Sequence, residues 1–521
     1  MKFIKNLLFT ALAILTFSSV QASEKFEPTW ESLQKFETPE WYSDAKLGIF
    51  LHWGPQTIPR MGGWYPRNMY NEEHKAYKSH LKNFGHPSEV GYKDIIAMWK
   101  AEKFAADNLV QVFKRAGAGF IVPVATHHDN FDHWNSVHHD WNSVKKGPRK
   151  DIVGLWRDAT LKQGLRFGVS THLARSYSWF QPSHGADTKG PFKGLAYDGS
   201  KPENQGLYHE THGDTYLFYP KNPSKAFVAS WKNRHLDLID NYQPDLLYWD
   251  GAVPFEEVGR DIVAHLYNEN IKRNGNNEAL LCYKPIRGTH GDFRDGIGVM
   301  DLERGTFLKA QKTTWQNDTS IGPWFWDGRA RKDYRQVNEI VDMFVDLVSK
   351  NGVLLMNIPL KPDGKMDETT RAMLAKLTAW TTINGEAIFK TRPWIKYGEG
   401  PSIHQAKRAA HAVDTKVVEG VVFETKDIHV RDTKLDPLGS QDIRFTASKD
   451  ASIIYAFVMD WPSDEDLLIS SLSQENTGAI AAVELLGHGT VSWSQDSAGL
   501  KLKLPASAPS DYASAFKIKL K

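Results

Sequence analysis

Pro244-Asp245-Leu246-Leu247-Tyr248-Trp249-Asp250, followed at once by Gly251-Ala252, is the stretch on which the reading of this chain turns. An unbroken apolar run after a turn-prone proline reads as a strand covered on both faces, the habit of parallel sheets. A carboxylate at its C-terminal edge, with a glycine behind it to release the chain, stands where β/α barrels keep their catalytic groups. Capping of a following helix is the other common use of such a residue. The surrounding sequence decides between the two.

Outward from that strand the same alternation recurs. Residues 46–52, 119–125, 166–171, 279–283, 298–302, 320–325 and 352–358 are further strand-like runs. Helical periodicity occupies 101–116, 152–163, 225–241, 334–350 and 369–383 between them. Eight strands alternating with helices predict an α/β fold, a (β/α)8-type barrel over residues 23–392, rather than an open doubly wound sheet. No Gly-rich phosphate loop follows the first strand, which counts against a nucleotide enzyme. After Arg392-Pro393-Trp394 the pattern changes to short alternating runs at 442–447, 452–458, 491–494 and 515–520. Turn residues separate them and long helices are missing, so a C-terminal antiparallel β-sandwich is predicted over 393–521. The absence of repeats and of a low-complexity linker predicts that the two domains pack rigidly.

Residues 1–22 carry Lys2 and Lys5, an apolar run over 7–17, and small residues at Val20-Gln21-Ala22. That is the pattern of a secretory signal peptide, too short in its apolar core to span a membrane. A periplasmic or secreted enzyme without a membrane span is expected. The single cysteine, Cys282, excludes an intrachain disulfide and argues against a thiolate metal site. A formal charge of +2 gives no reason to expect a nucleic-acid partner. Eighteen tryptophans and 12% aromatic residues suit a protein that handles sugars, although aromatic residues are core residues first.

The strand ends carry polar groups that a core would not want. They are His52-Trp53-Gly54, Thr126-His127-His128-Asp129, His172, Tyr283-Lys284 and Asp301-Leu302-Glu303-Arg304. In a barrel these converge on one rim around Asp250. Three chemistries could use them. A metal hydrolase would take His127, His128 and Asp250 as ligands, but adjacent histidines on extended backbone point apart and no helical i, i+4 histidine pair exists. Glycoside hydrolysis needs only two carboxylates, with neutral imidazoles donating to and accepting from sugar hydroxyls. The third is a barrel that only binds sugar. No metal or other cofactor is expected.

The run from Trp41 to Gly54 (WYSDAKLGIFLHWG) resembles the opening of family 29 α-L-fucosidases. Ala125-Thr126-His127-His128-Asp129-Asn130-Phe131, with Trp134-Asn135-Ser136, is similar to that family's second-strand motif. The likeness continues through 246–251, 351–359 and 384–388 into Ala456-Phe457-Val458 and Trp461-Pro462 of the sandwich. It implies a retaining exo-glycosidase that releases terminal α-L-fucose from glycans, with Asp250 as nucleophile and His52, His127 and His128 on the sugar hydroxyls. His172, Trp64, Tyr248 and Lys284 complete the implied sugar-binding set. Tyr248 stands where the family usually has Trp, and Lys284 where it often has Arg, which loses a bidentate fork. Relatives place a glutamate in the segment matching Trp315-Gln316-Asn317-Asp318, where this chain has Gln316. Glu303, 53 residues after Asp250, is the expected acid/base, ahead of Asp301, Asp318, Glu256 and Glu257. An α-L-galactosidase acting on algal or plant glycans is the alternative enzyme, since relatives often carry a glutamate near Gly63. Gln316 motivates the further alternative of a non-catalytic carbohydrate-binding barrel.

Overall fold

Eight short runs form one parallel sheet: β1 (Leu47–Leu51), β2 (Phe120–Thr126), β3 (Arg166–Thr171), β4 (Leu246–Trp249), β5 (Leu280–Tyr283), β6 (Val299–Met300), β7 (Trp315–Ser320) and β8 (Gly352–Asn357). They belong to a computed structural model that describes residues 25–285, 291–330, 334–403, 417–418, 421–422 and 437–521. The expected signal segment at 1–22 lies outside the described residues. Strand order is β6-β5-β4-β3-β2-β1-β8-β7. The two edges meet through a parallel bridge between Asp301 and Gln316. Leu302 N–H donates to the Gln316 carbonyl at 2.9 Å, and Arg304 N–H to that of Asp318 at 2.8 Å. Those bonds close the sheet into a barrel and remove its edges.

Helices cover the outside because each presents an apolar stripe to the strands. In α1 (Ala106–Arg115) the buried residues are Ala106, Leu109, Val110 and Phe113, the i, i+3, i+4, i+7 spacing of one helical face. Further long helices are α2 (Ile152–Lys162), α3 (Lys225–Tyr242), α4 (Glu257–Asn274), α5 (Val337–Ser349) and α6 (Glu368–Asn384). Asp151, Ser224 and Asp367 start three of them by accepting a first-turn N–H. No helix among the described residues is long and apolar enough to cross a membrane.

Two expectations are corrected. The seventh strand is Trp315–Ser320, not 320–325. All six of its residues are buried although five are polar, because Gln316 and Asp318 point into the barrel and pair there with other buried groups. A rule that seeks apolar runs passes over such a strand. The alternation with helices also fails after β5: among the described residues no helix lies between Tyr283 and Trp315.

Beyond the barrel come β9 (Arg392–Glu399), β10 (Ile443–Ala447), β11 (Ile453–Val458), β12 (Asp466–Ile469), β13 (Ile480–Leu485), β14 (Trp493–Asp496), β15 (Gly499–Lys503) and β16 (Ser514–Leu520). They build antiparallel sheets β9-β10-β11-β16-β13 and β12-β15-β14, with the two-residue strand Gly489–Thr490 added to the first. Phe445, Ile454, Leu500, Phe516 and Ile518 fill the space between them. The first sheet also clamps the barrel. Trp380 donates its indole N–H to the Ala513 carbonyl at 2.7 Å. Asp346 on α5 takes Arg444 at 2.7 Å and Lys350 at 2.6 Å, all three buried. Removing one member of such a buried group leaves an uncompensated charge and costs roughly 3–5 kcal/mol. The sandwich therefore holds the helical flank of the barrel and leaves the C-terminal ends of the strands open.

Candidate active site

Because all eight strands run parallel, the residue after each one emerges on the same rim. His52 follows β1, His127 and His128 follow β2, His172 follows β3, Asp250 follows β4 and Lys284 follows β5. Glu303 stands three residues beyond β6, and Asn357 closes β8. Gly251 releases the chain after Asp250 at φ +158°, where a Cβ would lie 1.9 Å from the Tyr219 hydroxyl, so only glycine fits there.

Asp250 is the centre. Its Oδ1 accepts from Lys284 Nζ at 2.6 Å. Its Oδ2 lies 3.2 Å from His172 Nδ1, off the line of a hydrogen bond, and 3.5 Å from His128 Nε2. The Arg175 guanidinium is 3.7 Å from the same oxygen and also donates to the Asp250 carbonyl at 3.4 Å. Burial works to raise the carboxyl pKa, but Lys284, Arg175 and His172 outweigh it and hold the group well below the usual carboxylate range. Asp250 is an anion at any physiological pH.

Lys284 Nζ also donates to Glu303 Oε2 at 2.7 Å. Both bonds run to one nitrogen, so the two carboxylate oxygens lie no farther apart than 2.6 plus 2.7, or 5.3 Å. Burial alone would lower the Lys284 pKa; Asp250, Glu303, Asp318 and Asp301 reverse that and lift it well above the ordinary value. The Glu303 side chain is 29% exposed against 13% for Asp250, so it faces the mouth, where protons exchange with water.

The histidines are neutral. Burial lowers His52, His127 and His128 well below the ordinary imidazole value, and neighbouring His172, His128 or Arg175 adds to it. Burial likewise lowers His172, against the pull of Asp250. Asn357 Oδ1 accepts from the His52 backbone N–H at 2.8 Å and from its Nδ1 at 3.1 Å, which leaves Nε2 as an acceptor. His128 Nδ1 donates to the His172 carbonyl at 3.1 Å. His127 Nδ1 is buried without a hydrogen-bond partner in the protein. Such an atom costs roughly 1–3 kcal/mol unless something bonds it. Trp64 stands at the rim, 37% exposed, its ring 6.1 Å from that of His128.

Of the implied residues, His52, His127, His128, His172, Lys284, Asp250 and Glu303 form one cluster with Trp64 at its lip. Tyr248 does not line it. The ring is fully buried, and its hydroxyl reaches Asp318 at 3.0 Å and Asp301 at 3.2 Å. It belongs to a buried layer under Lys284. There Gln316 donates to Asp301 at 2.8 Å and accepts from Tyr42 at 2.7 Å. Burial and the mutual charge raise Asp301 well above the carboxylate range. Burial also raises Asp318, to about 6, against the pull of Lys284. The Tyr248 hydroxyl has one proton for the two oxygens, and the raised pKa of both carboxyls favours a proton shared between them. Asp301 and Asp318 therefore lie below the site floor, while Glu256 and Glu257 stand exposed at the start of α4. Gln316 is sealed in the same layer, so its lack of a titratable proton does not bear on chemistry at the rim.

The metal trio of His127, His128 and Asp250 does not assemble. The groups that do are His52-His127-His172 and His128-His172-Asp250, with ligand atoms within 4.8 Å of one another. Lys284 and Arg175, both within 4 Å of Asp250, oppose a further cation at the second. Sequence reasoning missed Arg175 and Asn357. Arg175 sits in a short helical turn three residues after His172, and proximity to a strand end was its only signal.

The family described as Alpha-L-fucosidase matches residues 13–386, and that described as Alpha-L-fucosidase C-terminal domain matches residues 437–521. The chain is 27% identical to the plasma alpha-L-fucosidase of Homo sapiens over 508 residues, 93% of this chain and 89% of that protein. It is 27% identical to the tissue alpha-L-fucosidase of Rattus norvegicus over 527 residues, 98% and 96% of the two chains. Among solved structures, a Thermotoga maritima alpha-fucosidase in complex with fucose superposes with a TM-score of 0.70 at 22% identity, covering 95% of this chain and 100% of that one. A family 29 enzyme from Bacteroides thetaiotaomicron, held as a trapped covalent intermediate, gives 0.60 at 16%, covering 92% and 95%. The solved structures share the fold of a barrel followed by a sandwich.

Proposed function

The chain belongs to the α-L-fucosidase family, and from that premise we propose that it is a retaining exo-glycoside hydrolase releasing terminal α-L-fucose from glycans. One observation carries the reading: the Lys284 ammonium bonded to both Asp250 and Glu303, which limits their nearest oxygens to 5.3 Å. Retaining glycosidases hold their two carboxyl groups roughly 5–5.5 Å apart, whereas inverting ones need about 6.5–9.5 Å to admit a water.

In this reading Asp250, kept ionised by Lys284 and Arg175, attacks the anomeric carbon as the glycosidic C–O bond breaks. Glu303 gives its proton to the departing oxygen. Lys284 then switches between two tasks. While Asp250 is an anion, its charge offsets the ammonium at Glu303 and lets that carboxyl keep a proton. Once Asp250 is an ester its charge is gone, and Lys284 favours the Glu303 anion, the base that the hydrolysing water needs. His52 and His128 present acceptor nitrogens, and His127 an unpartnered one, to the hydroxyls of the bound sugar. The apolar run and flanking residues of 1–22 support export from the cytoplasm.

Gly63 favours a second substrate. A Cβ there would lie 2.9 Å from the Phe325 ring and 3.4 Å from His127 Cε1, so the Phe325 ring packs directly on Gly63 and the wall on that side is apolar. An added C6 hydroxyl, the only difference between L-galactose and L-fucose, is weakly rejected by such a wall. Hydrolysis of p-nitrophenyl α-L-fucoside and α-L-galactoside, with the first-formed anomer read by NMR, tests both points. An inverted product, or faster cleavage of the galactoside, overturns the primary reading.

A further inference from the structure

A cavity of about 620 Å³ opens beside the Asp250 cluster, walled by one stretch of the long connection between β3 and α3. Its principal side chains are His212, Asp214, Tyr216, Phe218, Lys221 and Asn222. Three contacts tie the stretch to the rim. The Tyr219 hydroxyl donates to the Ala252 carbonyl at 2.8 Å, and the Ser178 hydroxyl to the Tyr216 carbonyl at 2.7 Å. The Phe218 ring lies 5.0 Å from the Arg175 guanidinium carbon, and Arg175 is 3.7 Å from the Asp250 carboxylate. Phe218 is thus separated from Asp250 by one side chain.

The wall is held in one shape by its own bonds. Asp214 accepts from the backbone N–H groups of Tyr216 at 3.2 Å and Asn222 at 2.9 Å. His212 stacks on Tyr177 with centroids 3.9 Å apart and bonds the Tyr177 carbonyl at 3.1 Å. Those groups are consumed in building the loop. Half-buried Tyr216 and Phe218 remain, with the exposed Lys221 ammonium 4.8 Å over the Tyr216 ring. Aromatic faces flanked by a few polar donors suit a pyranose, whose C–H face stacks while its hydroxyls point outward.

We propose that this cavity receives the saccharide that departs when the terminal sugar is cleaved, its ring against Tyr216 and Phe218 and its hydroxyls or acidic substituents toward Lys221 and Asn222. The proposal rests on the fucosidase reading and extends it from the cleaved sugar to the leaving group. A cavity of this size holds one or two sugar rings. Its link to the site runs through Arg175, which touches Phe218 and stands 3.7 Å from the Asp250 carboxylate.

The test compares kcat/KM on an aryl α-L-fucoside with that on whichever of the α-1,2-, α-1,3- and α-1,6-fucosylated trisaccharides is cleaved fastest. Tyr216→Ala and Phe218→Leu should each lower the trisaccharide-to-aryl ratio about tenfold or more, within the range for losing an apolar contact in a binding pocket. A ratio is insensitive to the fraction of enzyme that folds. An unchanged ratio in both variants overturns the receptor, as does aryl fucoside cleavage with no trisaccharide turned over. Absence of turnover on every α-L-fucoside by the unmodified enzyme overturns the parent reading, and this proposal with it.

Discussion

Lys284→Met is the most decisive single change. At 2.6 Å from Asp250 and an effective dielectric of about 20, the ion pair is worth at most about 6 kcal/mol. Desolvation reduces that to roughly 3–5 kcal/mol for breaking a buried pair. Two carboxylates within 5.3 Å are then left facing each other. At the same dielectric their repulsion is about 3 kcal/mol, or roughly 2 pKa units. Loss of the ammonium lets Asp250 bind a proton more readily, while the repulsion makes Glu303 hold its own more tightly. Both limbs of the kcat/KM profile on an aryl fucoside should therefore move up, the basic limb by about 2 units, with the loss of rate greatest on the acid side. Lys284→Arg keeps the charge and should recover most of the rate. Stability follows the same sign. Asp250 has a depressed folded pKa, so it stabilises the native state above the unfolded value of about 3.9, and that contribution fades as pH falls through the folded pKa. The Met variant should lose more in Tm at pH 8 than at pH 5. An unmoved acid limb, with a rate within threefold of the unmodified enzyme, would refute the role given to Lys284.

Asp250→Gly should abolish turnover while thermal unfolding stays cooperative, and azide should restore a slow reaction giving the inverted glycosyl azide; near-normal hydrolysis removes Asp250 from the mechanism. Glu303→Ala should slow substrates with poor leaving groups by about 100-fold or more while activated aryl fucosides lose far less in the first step. With that variant azide should yield the retained adduct, and equal losses on both substrate types point to another acid. Asp318, raised to about 6 by burial, has the opposite linkage to Asp250: its raised folded pKa costs stability as pH rises from about 4 to 6. Asp318→Asn should flatten the Tm–pH curve over that interval, and an unchanged slope denies the shared proton with Asp301.

Asp250 was legible because its context is local. The apolar run 246–249 must be buried, and a charged residue directly after it can only sit at a strand end. The same holds for His52, His127, His128 and His172, each one or two positions past the end of a strand, and for the alternating strands of the sandwich. Periodicity reports how a segment meets its own surroundings, and here the surroundings were a core. Only the tertiary structure decided the rest, because those choices depend on partners far apart in the chain. Trp315–Ser320 becomes a strand although its sequence is polar, since Gln316 and Asp318 find Asp301, Tyr42 and Tyr248 inside the barrel. Tyr248 lies beneath the site, not within it, because its hydroxyl is taken by that same pair. Arg175 gains its place from the turn after β3, and Lys284 from the pairing of β4, β5 and β6 as neighbours in the sheet, which brings their ends within one side chain of each other. A hydrogen bond between residues 34 or 53 positions apart leaves no periodic trace in sequence; it exists only once the strands have paired.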